Sequence, residues 1–271
     1  MLLFSIFISP NPSAHSWILK LCKCIDATSF ESLFVDASIG YLGSLKMQVK
    51  DDVVRNLKQE LETFDSFLGG PPKFFNQAGD ATLRLLKYFR FTPSSKTLDI
   101  GCGCLRIGVK LIDYLEAGNY FGIEPNSQML DAGVKYLLAD DKLRAKAPSF
   151  SNNTSFSLLD FNCKKFDVII ARSIWTHSSK GQISEMLNLF AEFTSADARF
   201  FASVAKKNPR AEDYQGDGWA GKSHESNVTK VVHHDPKWIK NECAKHNLNV
   251  YKIGEKKINF GGQIWLMMSH R

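Results

Sequence analysis

Residues 97–108 read TLDIGCGCLRIG, and this stretch is the strongest indication of the fold. A short run with apolar residues around Asp99 is followed at once by Gly101, Gly103 and Gly108. Glycine has no Cβ atom, so a glycine-rich turn behind a strand lets the backbone approach a ligand closely. The stretch therefore predicts a buried strand, a nucleotide-binding turn and then a helix.

The spacing of the glycines differs from that of dinucleotide-binding folds, which follow the pattern G-x-G-x-x-G. The third glycine of that pattern would fall at position 106, which is Arg106. Asp99 precedes the turn, and its carboxylate would repel a pyrophosphate but attract an amine. The turn therefore favours a nucleoside that carries an amino acid, and a dehydrogenase is the least favoured enzyme class.

Strands and helices alternate in the pattern of apolar residues on either side of this stretch. This alternation predicts an α/β fold, a Rossmann-like doubly wound seven-stranded sheet that is mostly parallel. The last two strands have no helix between them, so they are predicted to form a hairpin that makes one edge of the sheet antiparallel. The predicted strands are 97–100, 120–123, 155–159, 166–171, 198–204, 248–253 and 263–268, and the predicted helices are 47–68, 79–89, 109–115, 127–138, 180–194 and 236–246.

The chain has 271 residues, which one hydrophobic core can still serve. We expect residues 1–46 to form an N-terminal extension and residues 47–271 to form one catalytic α/β domain with a helical N-terminal part, 47–90. The first ten residues, MLLFSIFISP, are apolar but far fewer than the ~20 needed to span a bilayer. No transmembrane segment is expected, while a surface anchor or an export signal stays open as an alternative.

Composition narrows the classes of partner and the compartment. The net charge is +6 without a dense basic block, which argues against nucleic acid and is compatible with an anionic small molecule. The six cysteines show no disulfide-scaffold spacing, so we expect reduced thiols and a cytoplasmic location. The oligomeric state stays open.

Two further stretches narrow the nucleoside. The second predicted strand ends in Glu124, and a carboxylate at that place can accept hydrogen bonds from both hydroxyls of a ribose. Asp160 and Phe161 follow the third predicted strand and offer an acceptor and an aromatic face to an adenine. An amine-attracting turn, a ribose-binding acid and an adenine contact together describe S-adenosylmethionine.

The stretches LDIGCGCLRIG, FGIEPN, SLLDF and FDVIIARSIWTH resemble, in order and spacing, the successive motifs of class I S-adenosylmethionine-dependent methyltransferases. The residues of these stretches are more similar to those of a bacterial subgroup associated with polysaccharide and small-metabolite pathways. The resemblance covers roughly residues 70–270. It implies a seven-stranded sheet with an antiparallel final strand, and S-adenosylmethionine as the cofactor.

The resemblance also implies roles for individual residues. The turn after the first strand would hold the methionine moiety, the end of the second strand the ribose, and the end of the fourth strand would lie beside the sulfonium. The cofactor-binding residues implied in this way are Asp99, Gly101, Cys102, Gly103, Glu124, Pro125, Asn126, Asp160, Phe161, Ala171, Arg172 and Ser173. Arg106 could contact the cofactor carboxylate or simply begin the helix.

Methyl transfer needs alignment of the acceptor and exclusion of water, and a general base helps when the acceptor must lose a proton. His177, just after the fourth strand, and His224 are the candidate catalytic residues. A helix-start residue whose ring bonds to the backbone is the alternative for His177. Trp175, Tyr214 and Trp219 are the candidate substrate-binding residues.

Residues 206–236, here named the cover segment, form a long polar connection that we expect to close one wall of the acceptor pocket. A solvent-exposed insertion is the alternative. His233, His234 and Asp235 do not indicate a metal site, because adjacent side chains of an extended segment point to opposite faces.

The sequence therefore predicts an S-adenosylmethionine-dependent methyltransferase that acts on an O or N atom of a small molecule or saccharide. The alternative is a non-catalytic partner or cofactor-binding module that keeps the same fold. Retention of Asp99, Gly101, Gly103 and Glu124 favours the enzyme.

Overall fold

The computed structural model describes residues 47–139, 141–163, 165–206, 210–225, 230–254 and 262–271. The prediction made for residues 1–46 lies outside the described residues. Residues 207–209 and 226–229 of the cover segment, and residues 255–261, also lie outside the described residues.

A seven-stranded sheet forms the centre of the fold, with the strand order β3-β2-β1-β4-β5-β7-β6. Strands β1 to β5 run parallel, whereas β7 lies between β5 and β6 and is antiparallel to both. The predicted sheet with an antiparallel final strand is confirmed. The antiparallel strand β7 is not at the edge of the sheet, because β6 pairs with its outer side. The strands are β1 (Thr97–Ile100), β2 (Tyr120–Ile123), β3 (Ser149–Ser151), β4 (Phe166–Ala171), β5 (Thr194–Ala205), β6 (Leu248–Ile253) and β7 (Gln263–His270).

Helices connect the parallel strands and cover both faces of the sheet. They are α1 (Asp51–Thr63), α2 (Phe75–Tyr88), α3 (Gly108–Tyr114), α4 (Ser127–Leu137), α5 (Asp141–Arg144), α6 (Lys180–Phe193) and α7 (Pro236–Lys245), with a 3-10 turn at Pro72–Phe74 before α2. Side chains fix several helix starts. Asn126 accepts a hydrogen bond from the backbone N–H of Met129 at the start of α4, and Ser179 with Gln182 forms a capping box at the start of α6.

Each face of the sheet has its own apolar core, because successive residues of a strand point to opposite faces. In β4, Val168 and Ile170 pack on the face covered by α1 to α4, while Ile169 packs on the face covered by α6 and α7. This arrangement leaves the carboxyl ends of the parallel strands at one rim, where the connecting loops meet.

The third strand differs from its prediction. It spans Ser149–Ser151 and not 155–159, and it pairs only with β2. An edge strand needs few residues to pair with one neighbour, so the more apolar SFSLL stretch was the wrong choice. Residues 155–159 instead belong to the loop that leads back from this edge.

Among the described residues, no helix combines the length and the apolar character that crossing a bilayer requires.

A buried ion pair joins the start of the described chain to α2 and α3. The Lys110 ammonium lies 3.1 Å from a carboxylate oxygen of Asp80, and it also donates a hydrogen bond to the carbonyl of Met47. The Lys110 side chain is only 2% exposed. Removing one partner of such a pair leaves the other charge buried and uncompensated.

We expect Lys110→Met to lower the free energy of unfolding by about 3 kcal/mol, because the Asp80 carboxylate loses its cation. Chemical denaturation measures the change. Lys58→Met is the matched control: Lys58 pairs with Glu62 on the exposed face of α1, so its loss should cost about 0.5 kcal/mol or less. Equal effects of the two substitutions would contradict this prediction, and Asp80→Asn in addition to Lys110→Met should restore part of the loss.

Candidate functional site

The glycine-rich turn after β1 has the backbone conformation that only glycine adopts easily. Gly101 and Gly103 have φ angles of +69° and +57°. A Cβ atom at Gly101 would overlap the side chain of Ile174, which follows β4. The backbone N–H groups of Gly101 and Cys102 donate to the Ile123 carbonyl at 2.8 and 3.1 Å. These contacts fix the turn against the end of β2.

The Glu124 carboxylate at the end of β2 is held by two backbone N–H groups. Gly103 donates to one oxygen and Asn126 to the other, each at 2.9 Å. The side chain is buried, and burial raises its pKa although the two hydrogen bonds act in the opposite direction. Each carboxylate oxygen has a second lone pair, so the group can still accept hydrogen bonds from a ligand.

A second buried carboxylate, Asp99, lies at the end of β1. The Tyr120 hydroxyl donates a hydrogen bond of 2.8 Å to it. Burial raises the pKa of Asp99 to about 7, against the lowering by Tyr120, and the negative charge of Glu124 adds to the rise. The cost of burying this charge falls when a cationic ligand group lies beside it.

His177 follows β4 and is tied to the cover segment. Its Nδ1 lies 2.9 Å from the Ala220 carbonyl, and the Ala220 N–H donates to the His177 carbonyl at 2.7 Å. A carbonyl only accepts, so Nδ1 carries the proton and Nε2 is the basic nitrogen of the neutral ring. Burial lowers the pKa of His177 below its ordinary 6.5.

Further contacts hold the described part of the cover segment in place. The Val232 N–H donates to the Thr176 carbonyl at 2.9 Å, and Lys180 pairs with Asp213 at 2.5 Å. A Cβ atom at Gly221 would overlap the Lys230 carbonyl and crowd Nδ1 of His177. The segment therefore lies close to the loop after β4.

An aromatic cluster lies where this segment meets the loop after β3. The rings of Phe156 and Trp219 pack edge to face with centroids 6.3 Å apart, and Trp219 meets His224 in the same way at 5.3 Å. Burial lowers the pKa of His224, although Glu225 acts in the opposite direction.

A cavity of about 320 Å³ joins these features at the carboxyl rim of the sheet. Its lining includes most of the candidate site residues that were predicted from the sequence. They come from the turn after β1, the end of β2, the loop after β4 and the cover segment. Those that line it are Asp99, Gly101, Cys102, Gly103, Glu124, Pro125, Asn126, Arg172, Ser173, His177, Trp219 and His224.

The predicted adenine contacts, Asp160 and Phe161, do not line the cavity. Phe161 is buried in the core, where its ring packs on Phe121 at 5.5 Å. The Asp160 carboxylate is exposed and accepts hydrogen bonds from Ser151 and Asn153. The error follows from the misplaced third strand, because the loop after its true end lies several residues earlier.

Ala171, Trp175 and Tyr214 also lie outside the cavity lining. Ala171 and Trp175 are fully buried, and the Trp175 ring packs edge to face on Phe200. Trp175 is therefore a core residue and does not contact a substrate in this arrangement. The Tyr214 hydroxyl donates to the Gly218 carbonyl at 3.2 Å, within the cover segment.

The cavity also contains residues that the sequence did not nominate. Asn153, Thr154 and Phe156 follow the end of β3, and a correct placement of that strand would have indicated them. Gln263 reaches the same rim because β7 is antiparallel to β5, so its first residue pairs with Ala205, the last residue of β5. Arg106, for which the sequence left a cofactor contact or a helix start open, also lines the cavity. The remaining residues that the sequence did not single out are Phe67, Leu68, Gly69, Ile100, Cys104, Ile107, Ile123, Met129, Ile174, Lys222 and Ser223.

Gln263 takes part in a polar network that shapes the loop after β4. The Ser203 hydroxyl donates to the side-chain oxygen of Gln263 at 2.6 Å, and the side-chain amide of Gln263 donates to the Ser173 hydroxyl at 2.7 Å. The Ser173 N–H in turn donates to the Ser203 hydroxyl at 2.7 Å. These bonds support the left-handed conformation of Ser173, whose φ angle is +59°.

Part of the chain is similar in sequence to known methyltransferases. Residues 98–200 match the family model described as a methyltransferase domain. An uncharacterized methyltransferase of Schizosaccharomyces pombe is 31% identical over 98 residues, which cover 34% of this chain and 34% of that protein. The matched part thus spans about a third of the length of that relative.

Solved structures show the same fold at low sequence identity. Magnesium protoporphyrin IX methyltransferase from Synechocystis, solved with bound S-adenosylmethionine, is 15% identical with a TM-score of 0.52 and covers 83% of this chain and 99% of its own. The glycopeptide N-methyltransferase MtfA with S-adenosylhomocysteine is 14% identical with a TM-score of 0.54, covering 71% and 90%. The CcbJ methyltransferase from Streptomyces caelestis is 13% identical with a TM-score of 0.53, covering 74% and 97%. The chain therefore has the fold of these methyltransferases.

We expect Tyr120→Phe to raise the pKa of Asp99 above about 7, because the substitution removes the hydrogen bond that favours the ionised carboxylate. Carboxyl ¹³C chemical shifts of the ligand-free protein, followed against pH, measure the change. Tyr114→Phe is the control, since its hydroxyl donates to the Phe91 carbonyl and should leave Asp99 unaffected. An unchanged midpoint in Tyr120→Phe would refute the role assigned to this hydrogen bond.

Proposed function

We propose that this chain, whose residues 98–200 match a methyltransferase domain, is an S-adenosylmethionine-dependent methyltransferase acting on an O or N atom of a small molecule or saccharide. One observation carries the proposal: the Glu124 carboxylate is fixed by two backbone N–H groups beside the glycine-rich turn, inside the cavity. A fixed, buried hydrogen-bond acceptor at that place suits the two hydroxyls of a ribose.

The other residues of the cavity suit the remaining parts of the cofactor. Asp99 lies at the end of β1, where its carboxylate would attract the ammonium group of the methionine moiety. Asn153 and Thr154 offer polar atoms for an adenine in place of Asp160. Bound S-adenosylmethionine supplies a methyl group on a positively charged sulfur, so the protein has to align the acceptor and exclude water.

His177 is the general base in this proposal. It lines the cavity, its Nδ1 proton is committed to Ala220, and its lowered pKa keeps Nε2 unprotonated at neutral pH. Such a nitrogen can accept the proton that a hydroxyl loses as it attacks the methyl group, or the proton that an ammonium must lose before its nitrogen can attack. His224 is the second candidate for this role, and Trp219 provides an aromatic surface beside the acceptor.

A small acceptor is inferred from the resemblance to the subgroup linked to polysaccharide and small-metabolite pathways, and the cavity of about 320 Å³ has to hold the cofactor as well. A cytoplasmic location is part of the same proposal. It rests on the free thiols of Cys102, Cys104, Cys163 and Cys243, the four cysteines among the described residues.

We expect S-adenosylhomocysteine to raise the melting temperature, because a ligand that binds only the native state stabilises it. NAD should have no such effect. Glu124→Gln should weaken S-adenosylhomocysteine roughly 10-fold or more, because hydrogen bonds to a charged acceptor contribute about 1.5–3 kcal/mol.

The matched control for this thermal-shift experiment is Glu116→Gln, which removes an exposed carboxylate between α3 and β2. It should leave the shift unchanged. Stabilisation by NAD, or full stabilisation of Glu124→Gln by S-adenosylhomocysteine, would contradict the proposed cofactor site.

We expect His177→Asn to lower turnover by roughly 10²–10⁴-fold, because asparagine can still donate to Ala220 but lacks the basic Nε2 atom. Release of S-adenosylhomocysteine with an acceptor found by screening measures turnover, and calorimetry should show nearly unchanged affinity for S-adenosylhomocysteine.

The wild-type rate should also depend on pH. The neutral ring is the base, so turnover should fall as pH drops through the His177 pKa, with a midpoint below 6.5. If His177→Asn turns over at close to the wild-type rate, His177 is not the base. The same conclusion follows if only His224→Asn loses the fall in turnover at low pH.

A further inference from the structure

The first residue of β7 is joined to the loop after β4 by a closed ring of three hydrogen bonds. Gln263 pairs with Ala205 of β5, and Ser203 is its diagonal neighbour on the same face of the sheet. The Ser203 hydroxyl donates to the side-chain oxygen of Gln263 at 2.6 Å and accepts the N–H of Ser173 at 2.7 Å. The side-chain amide of Gln263 donates to the Ser173 hydroxyl at 2.7 Å and closes the ring.

Ser173 has a backbone conformation that needs this support. Its φ angle of +59° lies in the left-handed region, which a serine adopts only with strain. The hydroxyl that accepts its N–H belongs to Ser203, a fully buried residue. Because Gln263 accepts the hydroxyl proton of Ser203, the lone pairs of that oxygen are left for the Ser173 N–H. An amide suits this place, since it accepts at one atom and donates from the other.

Ser173 also begins the turn that carries His177. The Thr176 hydroxyl donates to the Ser173 carbonyl at 2.9 Å. The N–H groups of His177 and Ser178 both donate to the Ile174 carbonyl, at 2.8 and 3.0 Å. Residues 173–178 are therefore wound into one hydrogen-bonded unit, and the place of the His177 ring depends on the backbone conformation at Ser173.

The cover segment contacts the far end of the same turn. Nδ1 of His177 lies 2.9 Å from the Ala220 carbonyl, and the Ala220 N–H donates to the His177 carbonyl at 2.7 Å. Both bonds need the turn to stay in its present place. If Ser173 relaxed to an ordinary conformation, the turn would be redirected and the bond at Nδ1 would be lost, so either ring nitrogen could then carry the proton.

We propose that Gln263 is a positioning residue of the methyl transfer. Through Ser203 and Ser173 it fixes the turn that carries His177, and it thereby keeps the proton on Nδ1 and the basic Nε2 atom in place. The role acts from a distance in the chain and does not require that Gln263 contact the acceptor. This inference rests on the proposed function, because His177 is the base assigned there.

The test reads the tautomer of His177 in the full, ligand-free chain by long-range ¹H–¹⁵N correlation spectra, with the His177 signals assigned by their absence in His177→Asn. The wild type should show the Nδ1–H form. Methionine has a similar length but neither donates nor accepts in the manner of an amide. In Gln263→Met the Nδ1–H fraction of the neutral ring should therefore fall to roughly half or less.

Two further variants accompany this measurement. Ser203→Ala removes another member of the ring and should have the same effect, which keeps the test valid if Gln263→Met fails to fold. Gln48→Met is the matched control, because Gln48 is exposed and donates to Asp80 at 3.2 Å near the start of the described chain. It should keep the wild-type tautomer. An unchanged His177 signal in Gln263→Met or in Ser203→Ala overturns the inference.

A rescue experiment separates positioning from a general loss of structure. Glycine adopts a left-handed conformation without strain. Adding Ser173→Gly to Gln263→Met should therefore restore about half or more of the lost Nδ1–H signal. A defect caused only by a poorly packed residue 263 would not be repaired at position 173, so the absence of recovery overturns the inference.

The effect on the reaction is measured by release of S-adenosylhomocysteine, in the assay used for His177→Asn. Gln263→Met should lower kcat roughly tenfold or more, because a displaced base no longer meets the acceptor in a productive geometry. The KM for S-adenosylmethionine should stay within about threefold, since Glu124 is held by Gly103 and Asn126. A raised KM with unchanged kcat would assign Gln263 to cofactor binding and overturn the inference.

The proposed function and this inference fail in different ways. If S-adenosylhomocysteine does not stabilise the wild-type chain, the proposed function is refuted, and the reaction that Gln263 would serve is refuted with it. If S-adenosylhomocysteine binds and the His177 tautomer does not respond to Gln263→Met, only the inference about Gln263 is refuted.

Discussion

The hydrogen bonds that the Glu124 carboxylate accepts from Gly103 and Asn126 are the interaction on which the site depends. They join the turn after β1 to the turn after β2, so that two loops from neighbouring strands share one charged group. The bonds are made by backbone atoms and thus depend on the conformation of the turns more than on their side chains. Gly101 and Gly103 supply that conformation, with φ angles that other residues adopt only with strain.

One part of the cavity rim is formed by the ends of strands, and another part is formed by the long cover segment. The ends of β1 and β2 are fixed by the sheet, whereas Trp219, Lys222 and His224 come from the cover segment. The bonds between His177 and Ala220 connect the two parts. Because one histidine both fastens this segment and lines the cavity, acceptor binding and proton transfer are coupled in the proposed mechanism.

Burial of charge follows a consistent pattern around the cavity. Burial raises the pKa of Asp99 and Glu124 and lowers that of Arg172 and His177. In each case burial disfavours the charged form of the side chain. A bound ligand group of opposite charge would offset that cost. A site of this kind favours ligands that carry charge of both signs.

Local sequence patterns predicted the strands β1, β2, β4 and β6, the antiparallel pairing of the last two strands, and the residues of the glycine-rich turn. These signals are local: an apolar run, a glycine turn and a carboxylate at a strand end lie within a few residues of one another. The sequence also indicated that 206–236 contributes to the site, because a connection of that length and polarity is unusual in a compact domain. It did not determine the place of β3, whose three residues carry too little periodicity to be distinguished from the apolar stretch after it.

Which side chains face the cavity depends on long-range packing and could not be read from local sequence patterns. Trp175 and Phe161 are close to site residues in sequence, yet their rings are buried in the core, because neighbouring residues of a loop can point either into the core or into the cavity. Gln263 and Lys222 lie far from the motifs in sequence and reach the rim through the antiparallel β7 and the cover segment. Local patterns determine elements of secondary structure, whereas the lining of a cavity depends on how distant elements pack together, and that is decided by long-range contacts.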